Sequence, residues 1–337
     1  MEIRFGATVL ASFFILSAAW ATQPLPEVQA HVGKAYEAAG ENHRALVDAV
    51  CHPRVITPEP GKEVQKIGAK GILPDTRIAP DYATWHREPV RVFDNLVFVG
   101  QSEFTAWAVI TSEGIILVDT IFDYSVEDEI VNGLKKLGYD PANIKYAIVS
   151  HGHYDHAGGA KYLQDKFGTR IIMGEADWQL VKTRPDTEKW RPKRDIVATD
   201  GMKLTLGDTT LTLYLTPGHT EGTISTLIPV TDNGTPHLAG LWGGTMLTFA
   251  RTPENFETYI ASARRFRDIA AKAGADVALS NHTDYDGSKT RLPQISLRKP
   301  GTAHPYVVGN AVVGDYLTVV EECARAGLAY LQANPSR

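Results

Sequence analysis

The chain has 337 residues, 43% hydrophobic and 22% charged, which excludes a disordered or low-complexity protein and suits one large domain with an extension. A formal net charge of −5 supplies no basic excess, so nucleic acid is not an expected partner, and nothing in the charge argues against a small-molecule substrate. Two cysteines, Cys51 and Cys323, are too few for a cysteine-based zinc site.

Residues 1–21 read as a signal peptide. Arg4 and the amino terminus give positive charge tempered by Glu2, an apolar run follows from Phe5 to Trp20, and Ala19-Trp20-Ala21 fits a small-x-small cleavage site. The run is short for a membrane span, which takes roughly 20 apolar residues; an uncleaved anchor is the competing reading. The expected location is periplasmic or secreted, with no stable membrane insertion after cleavage. An oxidising compartment permits a Cys51–Cys323 disulfide; a buried free thiol at Cys323, on the apolar face of a helical pattern, is the alternative.

Residues 22–89 form an N-terminal extension. Val28, Val32, Tyr36, Ala39, Leu46, Val47 and Val50 keep one helical face apolar, and Gly33 and Gly40 weaken the helix enough to split it. Residues 52–90 carry Pro, Gly and Lys with little periodicity and read as a connecting arm. The main domain, residues 90–337, opens with strands at Val92-Phe93 and Leu96–Val99 around an Asp94-Asn95 turn. Strands at Phe104–Thr111 and Ile115–Val118, a helix from about Val126 to Leu137 and a strand at Tyr146–Val149 come next. A second block starts near Ile196, with strands around Met202–Leu206, Thr210–Thr216, Thr223–Val230 and His237–Trp242. Thr252 caps a helix through about Ala271, Val277–Ser280 is a short strand, and Tyr316–Leu331 close the chain as an amphipathic helix. Two strand-then-helix halves imply an α/β fold: two sheets packed together with helices outside.

The segment Ser150-His151-Gly152-His153-Tyr154-Asp155-His156 follows the strand ending at Val149. Three imidazoles and a carboxylate within six residues present several zinc donors from one loop. Gly152 lets the backbone turn, and Ala157-Gly158-Gly159 lets a helix start close by. This His-x-His-x-Asp-His pattern resembles the metallo-β-lactamase superfamily, whose fold is an αββα sandwich of two mixed β-sheets with helices on the outer faces. The resemblance implies a later histidine, supplied by His219 in Thr216-Pro217-Gly218-His219, and a last one, supplied by His282 in Ser280-Asn281-His282. It implies that Asp119, at the end of Ile115–Val118, orients a metal-bound histidine. His31, His43, His52, His86, His237 and His304 form no comparable cluster and receive no role.

Lactonases, glyoxalase II enzymes and phosphodiesterases of this superfamily use a bridging aspartate whose place here is Leu241-Trp242-Gly243-Gly244-Thr245, where no carboxylate stands. Without it, His151, His153 and His219 would hold one zinc and Asp155, His156 and His282 another. That arrangement, two Zn²⁺ per chain, resembles the third subclass of metallo-β-lactamases. The departures are Gly244-Thr245-Met246-Leu247, where antibiotic-destroying members carry serines, and His282-Thr283, where they tend to show His-Pro. The resemblance implies a zinc hydrolase opening amide or lactam bonds with a metal-bound hydroxide, β-lactams leading. Asp155 is its catalytic carboxylate, and Tyr154, Trp107, Phe104, Thr245 and Tyr285 are possible substrate contacts. A lactonase, amidase or other ester/amide hydrolase on the same site is the alternative. An iron-dependent dioxygenase of this fold and a non-catalytic zinc-binding protein of the envelope are the competitors from other classes.

Overall fold

The computed structural model describes residues 25–52, 82–247 and 252–334. The apolar run Phe5–Trp20 and most of the connecting arm lie outside those residues. Among the described residues, no helix is long and apolar enough to cross a membrane.

Helices α1 (Pro26–Ala39) and α2 (Arg44–Val50) divide at Gly40, whose φ of 48° is in the glycine-favouring region. A short turn of helix α3 (Tyr82–Trp85) precedes the first sheet. That sheet runs β1 (Val90–Phe93), β2 (Leu96–Phe98), β3 (Trp107–Thr111), β4 (Gly114–Val118), β5 (Ile144–Ile148), β6 (Arg170–Gly174) and β7 (Ile196–Ala198), in spatial order β1 to β7. Its first four strands pair antiparallel and its last four parallel. The crossovers carry a π-helical turn (Glu127–Val131) continued by α4 (Asn132–Lys136), then α5 (Tyr154–Ala157), α6 (Ala160–Phe167) and α7 (Glu175–Thr183).

The second sheet has the order β12-β11-β10-β9-β8, from β8 (Met202–Leu206), β9 (Thr209–Leu215), β10 (Ile224–Asp232), β11 (Thr235–Trp242) and β12 (Val277–Ser280). All its pairs are antiparallel except β11 with β12. Helix α8 (Pro253–Ala273) starts where Thr252 accepts the Asn255 N–H, and α9 (Ser288–Leu297) and α10 (Asn310–Ala333) follow β12. Both sheets are mixed, as expected for the αββα sandwich, and an N-terminal helical extension is present.

Three apolar clusters explain the layers. Phe98, Trp107, Ile116, Ile148, Leu213, Ile228 and Leu241 fill the space between the sheets. Val97, Leu117, Ala147 and Ile171 alternate with them to face Ile130, Leu134 and Leu163 of the first helical layer. On the other side, Trp242 and Ala278 meet Phe256, Phe266 and Val320, and Val28, Leu46 and Val47 of the extension join the same cluster. The extension is therefore packed into the outer helical layer, and the Cys51–Cys323 disulfide staples it to α10 with the two Cα atoms 5.0 Å apart.

Three expectations need correction. Ile196 does not open the second half: β7 pairs with β6 and completes the first sheet. The strand expected from Phe104 begins only at Trp107, because residues 104–105 cross to the other sheet, where Phe104 bridges His282 and the Thr105 N–H donates to Asn281 O at 3.1 Å. The closing helix begins at Asn310, six residues before Tyr316.

Candidate metal centre

The His/Asp residues gather where strands from both sheets end. β5 runs into the His151–His156 loop, β9 into His219, β11 into Gly243–Met246, β12 into His282 and β4 into Asp119. Glycines allow the close packing: a Cβ on Gly158 would stand 2.9 Å from Ile121 O, and one on Gly159 2.3 Å from Thr120 O. These approaches press the start of the helical segment after His153 against the β4 loop.

Hydrogen bonds fix which imidazole nitrogen faces inward. His151 donates Nδ1–H to Gly243 O at 2.8 Å, and His219 donates its own to Met246 O, so both turn Nε2 toward the centre. His219 Nε2 then lies 3.0 Å from His151 Nε2 and 3.1 Å from His153 Nδ1. Nitrogens on a tetrahedral zinc with bonds of ~2.0–2.1 Å are about 3.3 Å apart, so this trio has nearly the spacing of three ligands on one ion. His151, His153 and His219 form one convergent group, and His151, Asp155 and His156 a second.

The second group is built on carboxylates. Asp119 takes a φ of 64°, a conformation that short polar side chains tolerate better than most. One of its oxygens accepts the Ser150 N–H at 2.7 Å; the other accepts Ser150 Oγ–H at 2.9 Å and His156 Nδ1–H at 3.0 Å. His156 Nε2 is thereby aimed inward, buried and without a well-aligned hydrogen-bond partner among the described residues. Asp155 Oδ2 stands 3.2 Å from it and 3.7 Å from His282 Nε2. His282 sits just outside the two tight groups, its ring 5.1 Å from that of His156.

Electrostatics point the same way. Burial and neighbouring imidazoles hold His151 and His153 well below the usual histidine range, and burial brings His219 to about 4 and His282 to about 3. These four are neutral, as metal ligands must be. Burial opposes charge on His156 too, but Asp155 and Asp119 outweigh it and lift its pKa to about 10. Burial would raise the Asp155 carboxyl; His156, with His282 and His153, overrides it and drives the pKa far down. The Nε2 proton of His156 thus faces the Asp155 carboxylate at 3.2 Å, and a cation held by both residues would take that proton's place.

The possible substrate contacts separate. Two rings pack on His282, that of Phe104 at 4.8 Å and that of Tyr285 at 4.9 Å. Tyr154, half-buried, hydrogen-bonds Asp123 and sits 5.1 Å from the Phe122 ring. Trp107 is fully buried between the sheets with Nε1–H donated to Ser280 O, and Thr245 is buried against Tyr316 and Ser280. Phe104 and Tyr285 are buried as well, so of the five only Tyr154 is part-exposed.

Sequence reasoning missed a layer of supports. Asn281 donates to Gly243 O at 2.7 Å and to Ser150 Oγ at 3.2 Å, tying the two groups' supports together. Asp177 accepts the Gly152 N–H. Carbonyls such as Gly243 O and Met246 O carry no side-chain signal at all.

Residues 103–232 match the family described as the metallo-beta-lactamase superfamily. An N-acyl homoserine lactonase of Bacillus thuringiensis is 32% identical over 183 residues, which cover 50% of this chain and 68% of that protein. The chain belongs to the metallo-β-lactamase superfamily. A Bacillus sp. N-acyl homoserine lactonase is 34% identical over 141 residues, and the chain spans about half of it (51%). Among solved structures, BJP-1, a subclass B3 metallo-β-lactamase of Bradyrhizobium japonicum, superimposes with a TM-score of 0.66 at 27% identity, over 77% of this chain and 100% of that one. Metal-dependent hydrolase is the enzymatic class that goes with this superfamily and this pair of His/Asp groups.

Proposed function

We propose that the protein is a dinuclear zinc hydrolase that opens strained cyclic amides, with β-lactams the leading substrate class. His151, His153 and His219 would hold one ion and Asp155, His156 and His282 the other. Bound there, two zinc ions would bring the pKa of a water toward about 7 and polarise a carbonyl group, which supplies the nucleophile and the electrophilic carbon that ring opening needs.

The observation that carries this reading is the strand end after β11. A Cβ on Gly243 would fall 1.8 Å from Ile224 O, and one on Gly244 2.5 Å from the His219 Cβ. Neither position has room for the side chain of a bridging carboxylate, which favours a three-plus-three ligand set. The chain's own residues then divide the work. Asp155, held ionised by His156, serves as ligand and as an acceptor that orients the attacking water. Gly243 O, Met246 O and Asp119 keep three imidazoles aimed, while Phe104 and Tyr285 wall the His282 side. The fold similarity to the Bradyrhizobium β-lactamase supports the lactam reading.

A second reading, hydrolysis of lactones on the same site, is favoured by sequence: the two lactonases are 32% and 34% identical over their matched parts. We also infer export to the periplasm or the medium, supported by the Cys51–Cys323 disulfide, which suits an oxidising compartment.

Zinc-loaded protein assayed against parallel β-lactam and acyl-lactone panels, with His153→Ala as control, tests both. Chelator-sensitive lactam turnover at or above about 10⁴ M⁻¹s⁻¹, lost in the variant, is the expected result. Turnover confined to lactones would replace the first reading by the second, and equal turnover by His153→Ala would remove both.

A further inference from the structure

Asp177, on the first turn of α7, is 1% exposed. Among the described residues no lysine, arginine or histidine pairs with it, and burial raises its pKa to about 6. A buried acid without a cation is costly unless its oxygens are occupied. They are, and by two separate loops. Asp177 Oδ2 accepts the Gly152 N–H at 2.9 Å and the Thr220 Oγ1–H at 2.8 Å, and the backbone of Gly222 adds a further bond. Gly152 lies between His151 and His153, and Thr220 follows His219. One carboxylate oxygen therefore joins the two loops that carry the three-histidine group.

The packing is built around that carboxylate. A Cβ on Gly222 would stand 2.8 Å from its Cγ, and one on Gly152 3.3 Å from its Cβ. Thr223 Oγ1 completes the turn, accepting the Thr220 N–H at 3.0 Å and lying 2.8 Å from Thr220 Oγ1. Asp119 does for His156 what nothing in the three-histidine group does for itself, since that group contains no anion.

We propose that Asp177 is a positioning residue for the three-histidine half of the metal centre, clamping the His151–His153 loop to the His219 loop and placing one negative charge behind an otherwise neutral ligand set. This rests on the ligand assignment proposed above. Groups that orient ligands from behind are worth about 10–100-fold in metal affinity.

The test is zinc titration of the full-length, metal-free chain against a chromophoric chelator, with cobalt(II) absorption to report the geometry of each position. Wild type should take up two equivalents; failure to do so would count against the ligand assignment, not against Asp177. Asp177→Asn should weaken one equivalent about 10–100-fold and alter its cobalt bands while leaving the other at wild-type affinity. Wild-type affinity at both positions in a folded variant, or equal weakening of both, would overturn the proposal. Thr220→Val and Thr220→Ser keep the test alive should Asp177→Asn not fold. The valine should weaken the same equivalent and the serine restore it, and identical zinc affinity in the pair would overturn the clamp.

Discussion

Asp119 shows how much one buried side chain carries. Its two oxygens serve Ser150 and His156, and Asp119→Ala would leave three donors without an acceptor at a site closed to water. Each unsatisfied buried donor costs about 1–3 kcal/mol. The expected outcome is a lower melting temperature together with about 10–100-fold weaker zinc binding, read by calorimetry and chelator competition. Unchanged zinc affinity would show that His156 needs no support. Gly244 tests the opposite, a place where an atom is too many. The added methyl of Gly244→Ala meets His219 and should cost zinc and activity while circular dichroism stays native. His43 is 2% exposed, donates its Nε2–H to Val312 O at 2.8 Å, and is pushed by burial to a pKa of about 4. A histidine whose folded pKa lies below its unfolded value of about 6.5 stabilises the fold above that pH. The contribution is lost as pH falls from about 6.5 to 4 and amounts to about 3 kcal/mol. His43→Phe, which keeps the edge contact with Tyr316, should flatten the pH dependence of melting in that window; an unchanged slope would refute it.

At the scale of elements, the amphipathic pattern of α1 and α2 and the break at Gly40 were legible because a helix shows its buried face every three to four residues. The turns at Asp94-Asn95 and the Thr252-Pro253 start of α8 were legible for equally local reasons. Besides the single turn α3 in the connecting arm, two helices went unread. α9 contains Pro293, which reads as a breaker in a chain without neighbours, and α7 has only a modest apolar face, so nothing local singled out its Asp177. The Cys51–Cys323 bond could not be decided from spacing, since the pairing depends on α10 returning to the extension. It spans 272 residues of sequence. Replacing both cysteines by serine should lower stability by about 2–5 kcal/mol, measured by denaturant melts, with zinc stoichiometry retained. Loss of zinc as well would mean that the extension supports the metal centre.

At the scale of the molecule, the candidate metal centre is where both sheets end, so an ion bound there would be thermodynamically linked to the fold. Removal of zinc by a chelator should lower the melting temperature and re-addition restore it. Free zinc at 100 times its dissociation constant contributes about 2.7 kcal/mol for each site. A melting temperature indifferent to zinc would contradict binding to the folded state. The three apolar clusters do not include the ligand side chains, so the metal-free chain should still unfold cooperatively.

What the sequence determined by itself was the chemistry: His151, His153, Asp155 and His156 stand within six residues, and no distant contact is needed to recognise donors so close together. It also determined the αββα class, because strand and helix periodicities are local properties of the chain. Only the tertiary structure decided which nitrogen each imidazole presents, that Phe104, Trp107 and Thr245 are buried, and that β7 belongs to the first sheet. It alone showed Asp177 and Asn281 behind the His/Asp groups. Those facts depend on backbone carbonyls, close glycine contacts and residues tens to more than a hundred positions apart, and such pairings leave no periodic trace for a local reading to find.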